Sequence, residues 1–227
     1  MKFHDRLLAS TAEERATLTA APIIQGTLRG EVSLASYLAF LTEAYHHVRH
    51  TASLLAACRD RLPPRLAWLA PELEHYIAEE TGHDEWILDD IAACGGDAAA
   101  VRHGQPQPAT ELMVAYAYDT IARGNPAGFL GMVLVLEGTS VALALHAADR
   151  IQRALHLPGN ALSYLRSHGE LDREHTAHFA RLMDLIDDPA DQQAIVHAAR
   201  MFYRLYGDVF RSLPLPAAQR ALEEATA

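Results

Sequence analysis

The sequence predicts an all-α fold, a helical bundle with extra packing helices. Apolar residues recur at helical spacing along almost the whole chain, and the interruptions fall at proline, glycine and Asx clusters. No segment shows the alternating, β-branched pattern of a strand bounded by turns. A long run, 127–148, is so apolar that only a helix buried among others accommodates it.

Taken in order, Ser10-Thr-Ala-Glu13 reads as a capping box opening a short helix that ends before Pro22. Gly30-Glu-Val-Ser33 introduces a long helix from 34 to about 62, stopped by Pro63-Pro64. A third helical region covers 65–94, with an interruption expected near Pro71, and Gly95-Gly96 closes it. Pro106 and Pro108 mark a loop before a helix at 110–123. Gly124-Asn-Pro126 is a sharp break, after which the apolar helix runs to about 156. Leu157-Pro-Gly159 separates it from a helix over roughly 160–187, and Asp188-Pro189 opens a last helix to about 212. No linker, repeat or low-complexity tract divides the chain, so a single domain over 1–227 is expected, with its core at about 20–212.

Composition narrows the function. A net charge of −10 argues against a nucleic-acid backbone as partner, which needs a positive face. The start, Met1-Lys2-Phe3-His4-Asp5-Arg6, leads into a polar segment rather than an apolar one, so a cytoplasmic location is expected. The run 127–148 is long enough to cross a bilayer, but a central acid, three internal glycines and the lack of a second such run argue against a membrane. Cys58 and Cys94 make neither a disulfide framework nor a zinc motif.

Glu137 is the only formally charged residue between Pro126 and Asp149. An ionised carboxylate in such a helix is costly unless it is protonated, paired with an arginine, or bound to a metal ion. The other helices favour the metal. The helix from 34 carries Glu43, followed by His46, His47 and His50. The next region carries Glu79-Glu80-Thr-Gly-His83, which puts Glu80 and His83 at i and i+3 on one helical face. The helix after the apolar one carries His168, Asp172 and His175, which fall within about 60° of one another at helical spacing. The order Glu, Glu-x-x-His, Glu, Asp-x-x-His is the logic of a dinuclear carboxylate site in a helical bundle. Carboxylate oxygens and imidazoles suit Fe(II) or Mn(II). Glu43, Glu80, His83, Glu137, His168, Asp172 and His175 are therefore the expected ligands. Tyr76 is expected to line the pocket or donate a hydrogen bond, with Phe129, Met132 and Val133 as an apolar wall. Glu79 competes with Glu80, while His47 and His75 are expected outside the ligand set.

With Tyr45-His46-His47-Val48-Arg49, Glu79-Glu80-Thr-Gly-His83 and His168-x3-Asp172-x2-His175, the chain resembles the heme-oxygenase-like diiron oxidases and oxygenases. The structural relatives of that group are the thiaminase II (TenA) and PqqC-type proteins. The resemblance covers roughly residues 20–212, and it implies a soluble enzyme with two iron ions, manganese being the alternative, and O2 as co-substrate. It implies N-oxygenation, oxidative C–C cleavage or decarboxylation of a small or aliphatic substrate. An external electron donor follows from the absence of flavin, nicotinamide or iron–sulfur motifs, and a homodimer is expected. Two rivals remain. One is a TenA-like hydrolase of thiamin pyrimidines, which needs an activated cysteine; the other is a non-catalytic metal- or ligand-binding protein. Heme ligation by His46, His47 or His50 is the less favoured variant, because inward acids repel heme propionates.

Overall fold

The structure, a computed structural model, describes residues 1–216 apart from the side chains of 170–175. Twelve α-helices follow one another among these residues: α1 (Phe3–Ser10), α2 (Ala12–Thr19), α3 (Pro22–Arg29), α4 (Leu34–Val48), α5 (Thr51–Asp60), α6 (Ala70–Glu80), α7 (His83–Ala93), α8 (Ala98–His103), α9 (Pro108–Arg123), α10 (Leu130–Leu155), α11 (Ser163–Leu185) and α12 (Pro189–Ser212). No strand occurs among the described residues.

The predicted boundaries hold where local chemistry sets them. Ser33 caps α4 by accepting from Ser36 N at 3.1 Å. Gly95, at φ 77°, and Gly96 close α7 with bonds to the Ala92 and Ile91 carbonyls. Asp188 caps α12 through Ala190 N at 2.8 Å. Three expectations are corrected. The capping box at Ser10 does not form: Ser10 ends α1, and Thr11 Oγ1 instead donates back to Leu7 O at 2.8 Å. The helix from 34 breaks at Arg49-His50 into α4 and α5. No glycine or proline marks that break, so tertiary packing sets it, with His50 Nδ1 lying 3.2 Å from the Tyr118 hydroxyl. The region 65–94 splits at Gly82, which sits at φ 94° in the left-handed region that glycine tolerates best.

Helix α10 is the axis of the molecule, packed most extensively on α11 and α12. Gly131 permits the α10–α12 contact, since a Cβ there would collide with the backbone of Ala199. The segment Pro126–Leu155 is long and apolar enough to cross a membrane by length and composition, and half of its most apolar window is buried in the fold. The expectation of a helix buried among others is thereby corrected in part: Ala142 and His146 face outward, and Glu137 itself is half-buried.

Buried apolar side chains form two clusters among the described residues. One gathers α5, α6, α9, α12 and the first half of α10. The other gathers α4, α7, the second half of α10 and the start of α11. Polar side chains from α4, α6, α7, α10 and α11 meet along the seam between them.

Candidate metal centre

The seam encloses a cavity of about 70 Å³. Its polar wall is made by His47, Tyr76, Glu80, Glu137 and His168, and its apolar wall includes Phe129, Met132, Val133, Leu54 and Leu55. Among the described residues no lysine or arginine lines it. The apolar residues expected from the sequence are thus in place, and four helices supply these polar ones.

Glu80, His83 and His168 each bring one ligand atom to a group in which all three lie within 4.8 Å of one another. The route by which Glu80 meets His83 differs from the sequence expectation. They do not share a helix face: Glu80 is the last residue of α6 and His83 the first of α7, with Gly82 turning the chain between them. The pair still closes, with His83 Nδ1 at 3.1 Å from Glu80 Oε2. Glu79 points away and meets His75 Nε2 at 3.2 Å at the exposed edge of α6.

The imidazoles are held before any ion arrives. His168 Nδ1 lies 3.1 Å from Tyr164 O. A carbonyl only accepts, so Nδ1 carries the proton and Nε2 keeps its lone pair, the arrangement that second-shell partners impose on metal-binding histidines. A Glu80 carboxylate does the same for His83. The His83 ring stacks on Trp86 at 4.2 Å between centroids and meets His168 edge-on at 4.8 Å. A carboxylate and two imidazoles gathered this closely fit a divalent cation, which such donors bind well.

Glu43 does not join them. It is buried on α4, where its oxygens accept from Gln107 N at 3.3 and 3.1 Å and from the Thr110 hydroxyl. The carboxylate therefore caps the start of α9, where free N–H groups and the positive end of the helix dipole favour a negative charge. The polar residue that α4 sends into the cavity wall is His47, one turn on, which the sequence placed outside the ligand set. It is 2% exposed, its Nδ1 has no hydrogen-bond partner, and burial pushes its pKa down to about 3, assisted by neighbouring His168, His50 and His46. The sequence signal for it was the His46-His47-x-x-His50 run, whose inward member could not be chosen without the α4 break. Tyr76 is buried and lines the cavity as expected. Asp172 and His175 belong to α11, and their side chains lie outside the described residues.

A second buried acid orients the centre from outside. Asp90, on α7, accepts from Ser163 N at 2.9 Å, Tyr164 N at 3.0 Å and the Ser163 hydroxyl. It caps α11 just before the turn that carries His168.

Residues 38–207 match a protein-family model described as iron-containing redox enzyme. No curated protein sequence matches the chain. Among solved structures, a domain of unknown function with a heme oxygenase-like fold from Shewanella denitrificans superposes with a TM-score of 0.82 at 24% identity, over 100% of this chain and 97% of that one. A TenA homologue from Pseudomonas syringae pv. tomato gives 0.77 at 13% identity over 92% and 91% of the two chains. Heme oxygenase-1 from Synechocystis in complex with heme gives 0.77 at 13% identity over 100% and 97%. The fold is therefore the heme oxygenase-like, TenA-like bundle.

Proposed function

The chain belongs to the iron-containing redox enzyme family, and we propose that it is a non-heme dinuclear iron oxidoreductase that uses O2 to oxidise a small aliphatic carboxylic acid or amine. The observation that carries this reading is the convergence of Glu80, His83 and His168 on one point of the cavity that Glu137 also borders. In this reading Glu80, His83 and His168 serve one ion. Glu137 would serve the other, with Asp172 and His175 one and two turns beyond His168 along α11. Two bound iron ions supply O2 activation and one-electron chemistry. Electrons come from a separate donor, and the chain works as a homodimer; light scattering in solution tests the latter.

The protein's own residues have separable tasks. Tyr164 O and Glu80 hold the two imidazoles in orientation, so that they would be ready to ligate an ion. Phe129, Met132 and Val133 keep water from the reacting end of the substrate. His47 stays neutral at working pH and offers a hydrogen bond to a polar group of the substrate or to O2-derived oxygen.

One feature favours this over heme. Among the described residues the cavity wall bears two carboxylates and no lysine or arginine to meet propionates. A thiaminase-type mechanism lacks its nucleophile, since neither Cys58 nor Cys94 lines the cavity. Anaerobic Fe(II) loading followed by stopped-flow exposure to O2 tests the proposal. Two iron ions per chain and a metal-dependent optical transient are expected; one tightly held zinc, or heme binding with a Soret band, would overturn it.

A further inference from the structure

A second cavity, about 90 Å³, lies beside the first and is bounded by α3, α4, α10, α11 and α12. The two share Ser140, Tyr164 and Tyr206 as walls. We propose that they are two halves of one substrate site, so that the substrate is an amphipathic molecule. Its polar, metal-binding head occupies the first cavity and its unbranched aliphatic tail the second. The assignment of the head rests on the function proposed above; the tail site rests on the following.

The second cavity is built for hydrocarbon. Ile24, Leu28, Leu143 and Ile151 line it, and Ala144 and Ala147 on α10 leave the space open by being small. Three of its polar side chains are turned to backbone carbonyls: Tyr37 donates to Ala161 O at 2.8 Å, Ser36 to Pro214 O at 2.7 Å and Thr139 to Val135 O at 2.6 Å. A charged or hydrogen-bonding ligand group would find little compensation there.

The partition between the cavities is aromatic on both sides. Tyr164 stands between His168, at 4.5 Å between ring centroids, and Phe40, at 6.5 Å. Tyr206 stands between His47, at 5.7 Å, and Phe210, at 4.8 Å. Each tyrosine therefore touches an imidazole of the metal side and a phenylalanine of the apolar side. A polymethylene chain crossing between the cavities passes these two tyrosines, and the carboxylate and imidazole groups lie on one side of them only. That one-sidedness matches a molecule with one polar end.

The test is calorimetric titration of Mn(II)-loaded protein with straight-chain carboxylates from butanoate to dodecanoate and with the matching alkylamines. Affinity should rise about fourfold per added methylene until the second cavity is full, then level off. Ala147→Phe should move the plateau to shorter chains while leaving butanoate binding unchanged. Leu143→Ala, which enlarges the cavity and needs no overpacking, should move it to longer ones. Affinity indifferent to chain length, or variants that change butanoate and decanoate binding equally, would overturn the tail site. The same titration on metal-free protein separates the two readings. Chain-length dependence that survives while the head group gains nothing from metal supports the tail site and sinks the metal reading.

Discussion

Five acids of this molecule, three buried and two half-buried, fall into two sets that sequence alone does not separate. Glu43, Asp90 and Asp191 accept from donors: Glu43 from the start of α9, Asp90 from the start of α11, and Asp191 from Arg65 at 2.9 and 2.6 Å and Asn125 at 2.6 Å. Glu80 and Glu137 line a cavity with imidazoles. The first set resolves the cost of burial within the protein, through N–H and O–H groups. The second gathers acceptors around a shared space, which is how a protein prepares for a cation. Burial of an acid therefore says little about metal; the identity of its neighbours says a great deal.

The largest expected effect tests the cavity set. Glu137→Ala and His168→Ala should lower Fe(II) affinity by at least about a hundredfold, the upper end of what even second-shell changes cost. The apo fold should be kept or slightly stabilised in Glu137→Ala, because removing one acid from a metal-free cluster relieves repulsion. Equilibrium dialysis and urea unfolding measure the two quantities. A strongly destabilised apo Glu137→Ala that still binds two metals would place Glu137 with the structural set.

The capping acids should show the reverse. Glu43→Ala should cost about 2–4 kcal/mol of stability, since it strands a buried N–H and hydroxyl, and should leave metal stoichiometry unchanged. Asp90→Ala should cost a similar amount and also lower metal affinity several-fold, because the start of α11 sets the position of His168. Thermal melts paired with metal analysis separate the two variants. Loss of metal in Glu43→Ala at full occupancy of the folded state would return Glu43 to the ligand set.

How much of this was legible follows the same line. Helix ends marked by proline, glycine or Asx, such as Ser33, Gly95 and Asp188, were readable because the cap is made within a few residues. The α4–α5 break was not, because its cause is packing against α9. Glu43 was misassigned because helical spacing gives a direction but not the neighbour waiting there. Glu80 and His83 were paired correctly on a wrong picture, a continuous helix, although Thr81-Gly82 carried the break in plain sight. His47 was passed over because the choice among three histidines depends on where α4 stops.

Within the structural set, pH sharpens the contrast. Burial alone would raise Asp191, but hydrogen bonds from Arg65 and Asn125 and the arginine's charge hold it below the usual carboxylate range. Burial raises Asp90, and its hydrogen bonds from Ser163 and Tyr164 only partly offset that. A depressed folded-state pKa gives stability that is present above the unfolded value, near 3.8, and is lost as pH falls through the folded one. A raised one works oppositely: ionisation costs stability as pH rises from the unfolded value through the folded one. Relative to wild type, Asp191→Asn should therefore be most destabilised at neutral pH and converge towards it in acid. Asp90→Asn should instead lose ground in acid, where wild-type Asp90 is protonated in place. Urea unfolding from pH 7 to below the unfolded carboxylate range reads both signs; parallel curves for the two variants would contradict them.

The smallest effect belongs to the cysteines, which lie outside both sets. A thiamin-cleaving mechanism needs a thiolate beside a base, with its pKa lowered by that neighbour. Cys58 is buried on α5, donates to Pro126 O at 3.3 Å, and is pushed up to about 12 by burial. Cys94 follows the C-terminal end of α7, where the helix dipole opposes a negative charge, and burial together with Asp90 pushes it up to about 11. Both thiols should therefore react with iodoacetamide far more slowly than free cysteine at neutral pH, Cys58 the slower of the two. The Cys58→Ser, Cys94→Ser double variant should keep its iron and its reaction with O2 within about twofold. Its melting temperature should fall slightly, because a hydroxyl replaces a buried, weakly polar thiol at 58. Turnover of a thiamin pyrimidine that vanishes in one single Cys→Ser variant would move the chemistry out of the cavity, and with it the division between the two sets of acids.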